Sequence, residues 1–265
     1  MTSIRLFKSL ALVAITISTL NACKKIDASE GENKTERFEV PDFDKIKIET
    51  AGVLNYTQGP DRLVEVQATE KILELLDIRV EEETLIISLS KNKIILNEEN
   101  LIFTVSDDDV YYVETSGSAT ANLDFDEGHD FNSIQLITSG SGNINHDAIN
   151  AETASLNSSG SGNINVQTVQ VFDKLDVDGS GSGSFDIAGS CDELELTLSG
   201  SGNFGEHDFI SEKVVARMSG SGNANVSVSY DLNAQLSGSG NLVFKGSPIL
   251  MATSTSGSGQ VIDGN

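Results

Sequence analysis

The chain of 265 residues carries 40 Asp and Glu against 17 Lys and Arg, a formal net charge of −23. That imbalance excludes nucleic acid and anionic bilayer surfaces as natural partners and favours cationic partners or divalent ions. Aromatic residues make up 6% and tryptophan is absent, which suits a narrow aliphatic interior better than a wide globular core.

Residues 1–22 read as a targeting segment. Arg5 and Lys8 form a basic head, and residues 10–20 (LALVAITISTL) are an apolar run too short to span a bilayer as a mature helix. The segment ends in Leu20-Asn21-Ala22-Cys23, which resembles the lipobox of bacterial lipoproteins. The resemblance implies a diacylglycerol thioether on Cys23 and an N-acyl chain, since stable anchoring takes more than one chain. The expected partner is therefore a membrane, the outer membrane, reached through the lipid. Removing 1–22 takes two basic and no acidic side chains, so the mature chain would hold 15 basic against 40 acidic residues, a net of −25. Residues 23–37 are polar, charged and aperiodic, and are expected to be an acidic tether.

Residues 40–113 are strand-rich. Ile46-Lys47-Ile48-Glu49 and Leu63-Val64-Glu65-Val66 alternate, and residues 85–89 and 101–105 are further strands. Residues 70–77 are expected to make one or two helical turns, and residues 58–61 (QGPD) a turn. Residues 50–56 (TAGVLNY) look like a degenerate form of the phrase that follows. This portion is expected to form irregular first coils and to close one end of a stack.

From residue 115 one phrase organises the chain. Ser-Gly-Ser-Gly-Asn begins at Ser139, Ser159, Ser199, Ser219 and Ser237, with variants at Ser116, Ser180 and Ser256; the intervals are 23, 20, 21, 19, 20, 18 and 19 residues. Apolar residues precede each phrase in alternation, as in Leu194, Leu196 and Leu198. They resume five residues after its first Ser with Ile144, Ile164, Phe185, Phe204, Ala224, Leu242 and Val261. Fixed offsets of this kind belong to a solenoid of stacked coils, each built of strand, Ser-Gly corner, strand and loop. The fold expected is all-β: a single-stranded, right-handed parallel β-helix. In it the glycines (Gly140, Gly142, Gly160, Gly162, Gly181, Gly183, Gly200, Gly202, Gly220, Gly222, Gly238 and Gly240) point inward at a corner where no Cβ fits. Asn143, Asn163, Asn203, Asn223 and Asn241 are expected to stack as an amide ladder, leaving the serines outward. Cys191 is left without an internal partner. By position it corresponds to Phe131 and Phe172, so a buried apolar role is expected. The last coil has Thr253 and Thr255 where others have Leu, a polar ending that could also seat a second rod.

Leader, lipobox, strand-rich stretch and stacked S-G-S-G-N-I/F units together are similar to the bacterial family called "putative auto-transporter adhesin, head GIN domain". Residues 140–144, 160–164, 200–204 and the lead-in 194–198 carry the likeness, which covers about 38–265. It implies a β-helix at the cell surface. A true autotransporter attaches through a membrane β-barrel; here the lipid is expected to take that place.

Candidates for chemistry are few. His129-Asp130, His146-Asp147 and His207-Asp208 are pairs of a kind used for metals or general bases, but their spacing puts them in different coils, so no shared metal site is expected. Runs at 81–83 (Glu) and 107–109 (Asp), and the group Asp176, Asp178 and Asp186, are solvated carboxylates or weak Ca²⁺ sites. Lys174, Lys213, Arg217 and Lys245 are scattered, and no acid pair suits glycoside hydrolysis. The reading is a non-enzyme without cofactor: an envelope lipoprotein binding a glycan or protein through the side of its β-helix. A structural protein that self-associates is the alternative, with a carbohydrate-active enzyme or an ice-binding Ser array behind it. The oligomeric state stays open.

Overall fold

The structure, a computed structural model, describes residues 24–90, 93–97, 100–126, 128–205 and 209–265. The targeting segment, Cys23 and His207-Asp208 lie outside the described residues. The described chain is nearly all β, stacked as a parallel β-solenoid of about seven turns.

Its regular part runs through β10 (Tyr112–Thr115), β11 (Thr120–Asp124), β12 (Asp130–Thr138), β13 (Asn143–Ser158), β14 (Ile164–Gly179), β15 (Phe185–Leu198), β16 (Phe209–Met218) and β17 (Ala224–Leu236). Every pairing among them is parallel. One column reads Leu136, Leu156, Val177, Leu196, Ala216 and Ala234, each at most 2% exposed. A second reads Ala121, Ile144, Ile164, Phe185, Phe204, Ala224 and Leu242, all fully buried. No coil could bury these faces alone; each is covered by its neighbours.

The stack does not follow chain order at its first end. β3 (Lys45–Ile48) and β4 (Val53–Gln58) lie beneath β10 and β11, with Leu54 under Ala121. Residues 50–56 thus occupy the corner and strand positions of a repeat phrase. Beneath that coil, although later in the chain, lie β7 (Thr84–Leu89) and β9 (Ile102–Asp107), still parallel. Antiparallel strands then close the end: β6 (Leu76–Glu81) on β7, β5 (Leu63–Thr69) on β9, and β2 (Asn33–Arg37) on β5, with the single turn α1 (Glu70–Leu73) between β5 and β6. The chain between Lys24 and Arg37, predicted as a tether, instead carries β2 and β1 (Lys24–Asp27), the latter parallel to β8 (Lys93–Leu96). Ile26 and Ala28 are buried there, whereas all five β2 residues are exposed and are held by the pairing to β5 and by the Lys34–Glu70 ion pair.

The far end is open. β18 (Leu242–Lys245), β19 (Leu250–Thr255) and β20 (Val261–Asp263) continue the two ladders, but among the described residues β19 and β20 are each paired on one side only. Met251, Thr253 and Thr255 follow the buried Leu232, Ala234 and Leu236 in register and are exposed.

One positional expectation is corrected. Cys191 stacks on Val171, not on Phe172, and Ser211 stacks on Cys191. β14 has two residues, Phe172 and Asp173, where β13 and β15 have one; this bulge turns Phe172 outward to 50% exposure.

Candidate binding surface

At the Ser-Gly corner the backbones of successive coils touch. A Cβ on Gly160, Gly181, Gly200, Gly220 or Gly238 would lie 1.7–1.9 Å from the carbonyl oxygen of the corresponding glycine one coil back. Gly162, Gly183, Gly202, Gly222 and Gly240 meet the same obstacle at 1.8–1.9 Å. Gly140 and Gly142 head the two columns, over Gly117 and Ala119. The second glycine of each phrase is buried and the first half-buried, so only one of the two points fully inward. Both serines of every phrase from Ser139 to Ser239 are exposed, in two columns at coil spacing.

The asparagines hold the corner closed. The side-chain oxygens of Asn143, Asn163, Asn203, Asn223 and Asn241 each accept the backbone N–H of the equivalent residue in the next coil, at 2.8–3.0 Å. In the variant phrase at Ser180, the Ser184 hydroxyl takes over, 3.2 Å from the Asn203 N–H. A second amide ladder, Asn55, Asn122, Asn145 and Asn165, links four coils by side-chain bonds of 2.9–3.0 Å. Sequence reasoning missed it, because its first member lies outside the repeat.

The histidines turn out to share a neighbourhood. His129 and His146 both pack on Phe125, which also meets Tyr56 at 5.1 Å and Phe131 at 4.9 Å. The Gln58 amide is fixed: its oxygen accepts the Asp126 N–H at 3.0 Å, so its nitrogen donates to the Asp108 carbonyl and to Nδ1 of His129. Nδ1 of His129 is therefore the acceptor in that bond. His146 donates Nδ1–H to the Leu123 carbonyl at 2.9 Å, and burial holds its pKa below the ordinary value. These rings border a cavity of about 380 Å³ edged by Asp124, Asp126 and Asp147. Among the described residues no group of three or more His, Cys, Asp or Glu is placed to hold a metal.

The acidic runs are largely engaged. Asp107 is buried and receives Arg62 at 2.7 Å and the Asp108 N–H at 2.9 Å; Arg62 also reaches Asp42. Glu82 and Glu83 form the two-residue β6–β7 turn with φ of 47° and 62°. Asp176 pairs with Lys174 at 2.9 Å, and Glu195, one coil on, binds both Lys174 at 2.7 Å and Arg217 at 2.5 Å. Lys174 first and Arg217 second hold the Glu195 carboxyl below the usual range. Asp178 stands in register with Thr197 and then Arg217. Cys191 Sγ lies 3.3 Å from Ser211 Oγ, and burial pushes its thiol up to about 11, away from reactivity.

Comparison with known proteins agrees on the fold. No curated protein matches the chain. Among solved structures, a "putative lipid binding protein" from Parabacteroides distasonis superposes with a TM-score of 0.78 at 23% identity, covering 91% of this chain and 100% of its own. A "putative adhesin" from the same species gives 0.78 at 23% identity, covering 90% and 99%, and one from Parabacteroides merdae gives 0.75 at 20% identity, covering 91% and 100%. The family model described as "Putative auto-transporter adhesin, head GIN domain" matches residues 42–248, most of the chain, and the protein belongs to that family.

Proposed function

We propose that this protein is a non-enzymatic, lipid-anchored envelope protein that presents the flank of its solenoid to a glycan or protein at the outer membrane. The observation that carries the reading is the double column of exposed serines, each held in place by glycine stacking and the asparagine ladder. Hydroxyls preset at coil spacing can meet a repetitive ligand with little loss of side-chain freedom. Membership of an adhesin family agrees with a place at the cell surface or envelope, and the Leu20–Cys23 lipobox supplies the attachment. A glycan and matrix-protein array probed with the detergent-purified chain tests the reading. Binding weakened by Ser→Ala changes at Ser159, Ser199 and Ser219 is expected; silence across the panel removes adhesion. Surface labelling of intact cells tests the display.

A second reading, self-association, is favoured by the open end, where β19 and β20 offer unpaired backbone and exposed Leu250 and Met251. Sedimentation of the detergent-solubilised chain separates the two: a strict monomer at high concentration removes self-association. The relative described as lipid binding makes a lipid ligand a third candidate, tested by adding lipid spots to the array.

A further inference from the structure

The other corner of each coil, where the bulges lie, is neither polar nor neutral. Between the buried column Ala151, Val171, Cys191, Ser211, Val228 and the column Thr153, Lys174, Glu193, Lys213, Asp231 stands one outward position per coil. It is filled by Glu152, by Phe172 with Asp173, by Asp192, by Glu212, and by Ser229 with Tyr230. Ile249 follows above, its N–H bonded to the Tyr230 carbonyl.

Two properties set this corner apart. Of the eight exposed large apolar side chains among the described residues, Phe172 (50%), Tyr230 (44%) and Ile249 (74%) follow the bulge position, and two flank it: Ile210 (56%), just before the buried column, and Leu250 (50%), in register with Asp231. Such residues scattered singly need no explanation, but a row of them along one edge does. The second property is charge. The neighbouring column alternates in sign, from Lys174 to Glu193 to Lys213 to Asp231, so each charge has an opposite one in the next coil. The bulge column does not alternate: Glu152, Asp173, Asp192 and Glu212 are all acidic and all exposed. From Phe172 to Ile249 is four coil steps, roughly 19 Å at the spacing of parallel strands.

We infer that this corner is a docking edge for a basic amphipathic segment of a partner protein, whose apolar side chains settle on Phe172, Ile210 and Tyr230 while its cations neutralise the carboxylate column. The charge selects this occupant: an anionic membrane surface is repelled, and a neutral sugar leaves the carboxylates uncompensated. An edge of roughly 19 Å matches about thirteen residues of helix. The corner is distinct from the serine columns, so the inference stands or falls apart from the reading above.

The probe is a 14-residue helical peptide with a leucine face and a lysine face, with two counterparts in which glutamine replaces leucine or glutamate replaces lysine. Binding to the full chain in zwitterionic nanodiscs is measured by fluorescence anisotropy, with binding to empty nanodiscs subtracted. The leucine–lysine peptide is expected to bind, the glutamine–lysine peptide at least tenfold more weakly, and the glutamate peptide not at all. Phe172→Ser with Tyr230→Ser is expected to cost tenfold or more. Asp192→Asn with Glu212→Gln is expected to weaken binding at low salt and flatten its salt dependence. All four positions are exposed, and circular dichroism checks that the fold survives. A control pair, Asp61→Asn with Glu36→Gln, should change affinity less than twofold. The inference is overturned if the glutamine–lysine peptide binds as tightly as the leucine peptide, if the corner variants match the control pair, or if cationic vesicles are bound and the peptide is not.

Discussion

Replacing Gly202 by alanine tests the stacking directly. The new Cβ would sit 1.8 Å from the Gly183 carbonyl oxygen, whereas real side chains keep at least 3.0 Å. Neither group can rotate away, because both are backbone in a column of repeated backbones. The coils must therefore open locally by about 1.2 Å, the scale of shift at which overpacking costs about 1–3 kcal/mol. Three of the bonds that cross that step flank the glycine: Ser199 N–H to Gly179 O at 2.8 Å, Ser201 N–H to Gly181 O at 2.9 Å, and Asn203 N–H to Ser184 Oγ at 3.2 Å. Losing them adds about 1 kcal/mol each, so Gly202→Ala should cost about 4–6 kcal/mol in all. The exposed neighbour Ser201→Ala should stay within about 0.5 kcal/mol. Urea unfolding followed by circular dichroism measures both, and the difference corresponds to roughly 10 °C in Tm. If Gly202→Ala loses less than about 1 kcal/mol, or no more than Ser201→Ala, the corner is not a column of touching backbones and the account of it fails.

Other consequences are equally measurable. Glu83 holds φ +62° in the β6–β7 turn, a conformation that costs a non-glycine residue about 1–2 kcal/mol; Glu83→Gly should raise stability by about 1 kcal/mol in the same urea assay, and an unchanged midpoint would count against a left-handed turn there. Burial raises the Cys191 thiol from its ordinary 9.0 to about 11, so the folded state holds the proton more tightly. Its contribution is then complete below pH 9 and disappears as pH climbs to about 11, a loss of about 2–3 kcal/mol that Cys191→Ala should lack in unfolding series at pH 8, 9.5 and 11. The same thiol should resist disulfide-exchange reagents at pH 8 until denaturant is added. Cys23→Ser should abolish fatty-acid labelling and release the chain from membranes on fractionation; retained labelling would overturn the lipobox reading.

The repeat was readable because, wherever one phrase stacks on another, its geometry leaves room for glycine alone at two positions. A side chain at Gly181 or Gly183 collides with main chain, so the phrase recurs wherever the coils continue. The first end obeys no such rule. Its strands alternate as expected, but alternation shows that Ile46 and Leu85 face inward without showing that the later strand lies beneath the earlier one. β2 offered no signal because every residue is exposed, and an edge held by backbone bonds and surface polar contacts leaves no hydrophobic period. Ile26 and Ala28 did leave one, two apolar residues at strand spacing, too short to stand out in a polar stretch. Phe172 was misplaced by one residue because an interval of 21 between phrases does not say where the extra residue goes. The structure puts it at the bulge, outside the core.

The arrangement of charge answers how so acidic a chain stacks at all. In a parallel solenoid each outward position faces its own kind roughly 4.8 Å away, so a carboxylate repeated in every coil repels itself at close range. The chain avoids this over much of its surface. Asparagine fills two columns, one of them over four coils, serine two more, and Lys174, Glu195 and Arg217 bridge three coils with alternating sign. Asp107 is withdrawn onto Arg62. Against that background a column of four exposed acids beside exposed Phe172 and Tyr230 is costly by both charge and hydration. A cationic, apolar partner would relieve both costs at once, which is the physical ground for the docking edge inferred above.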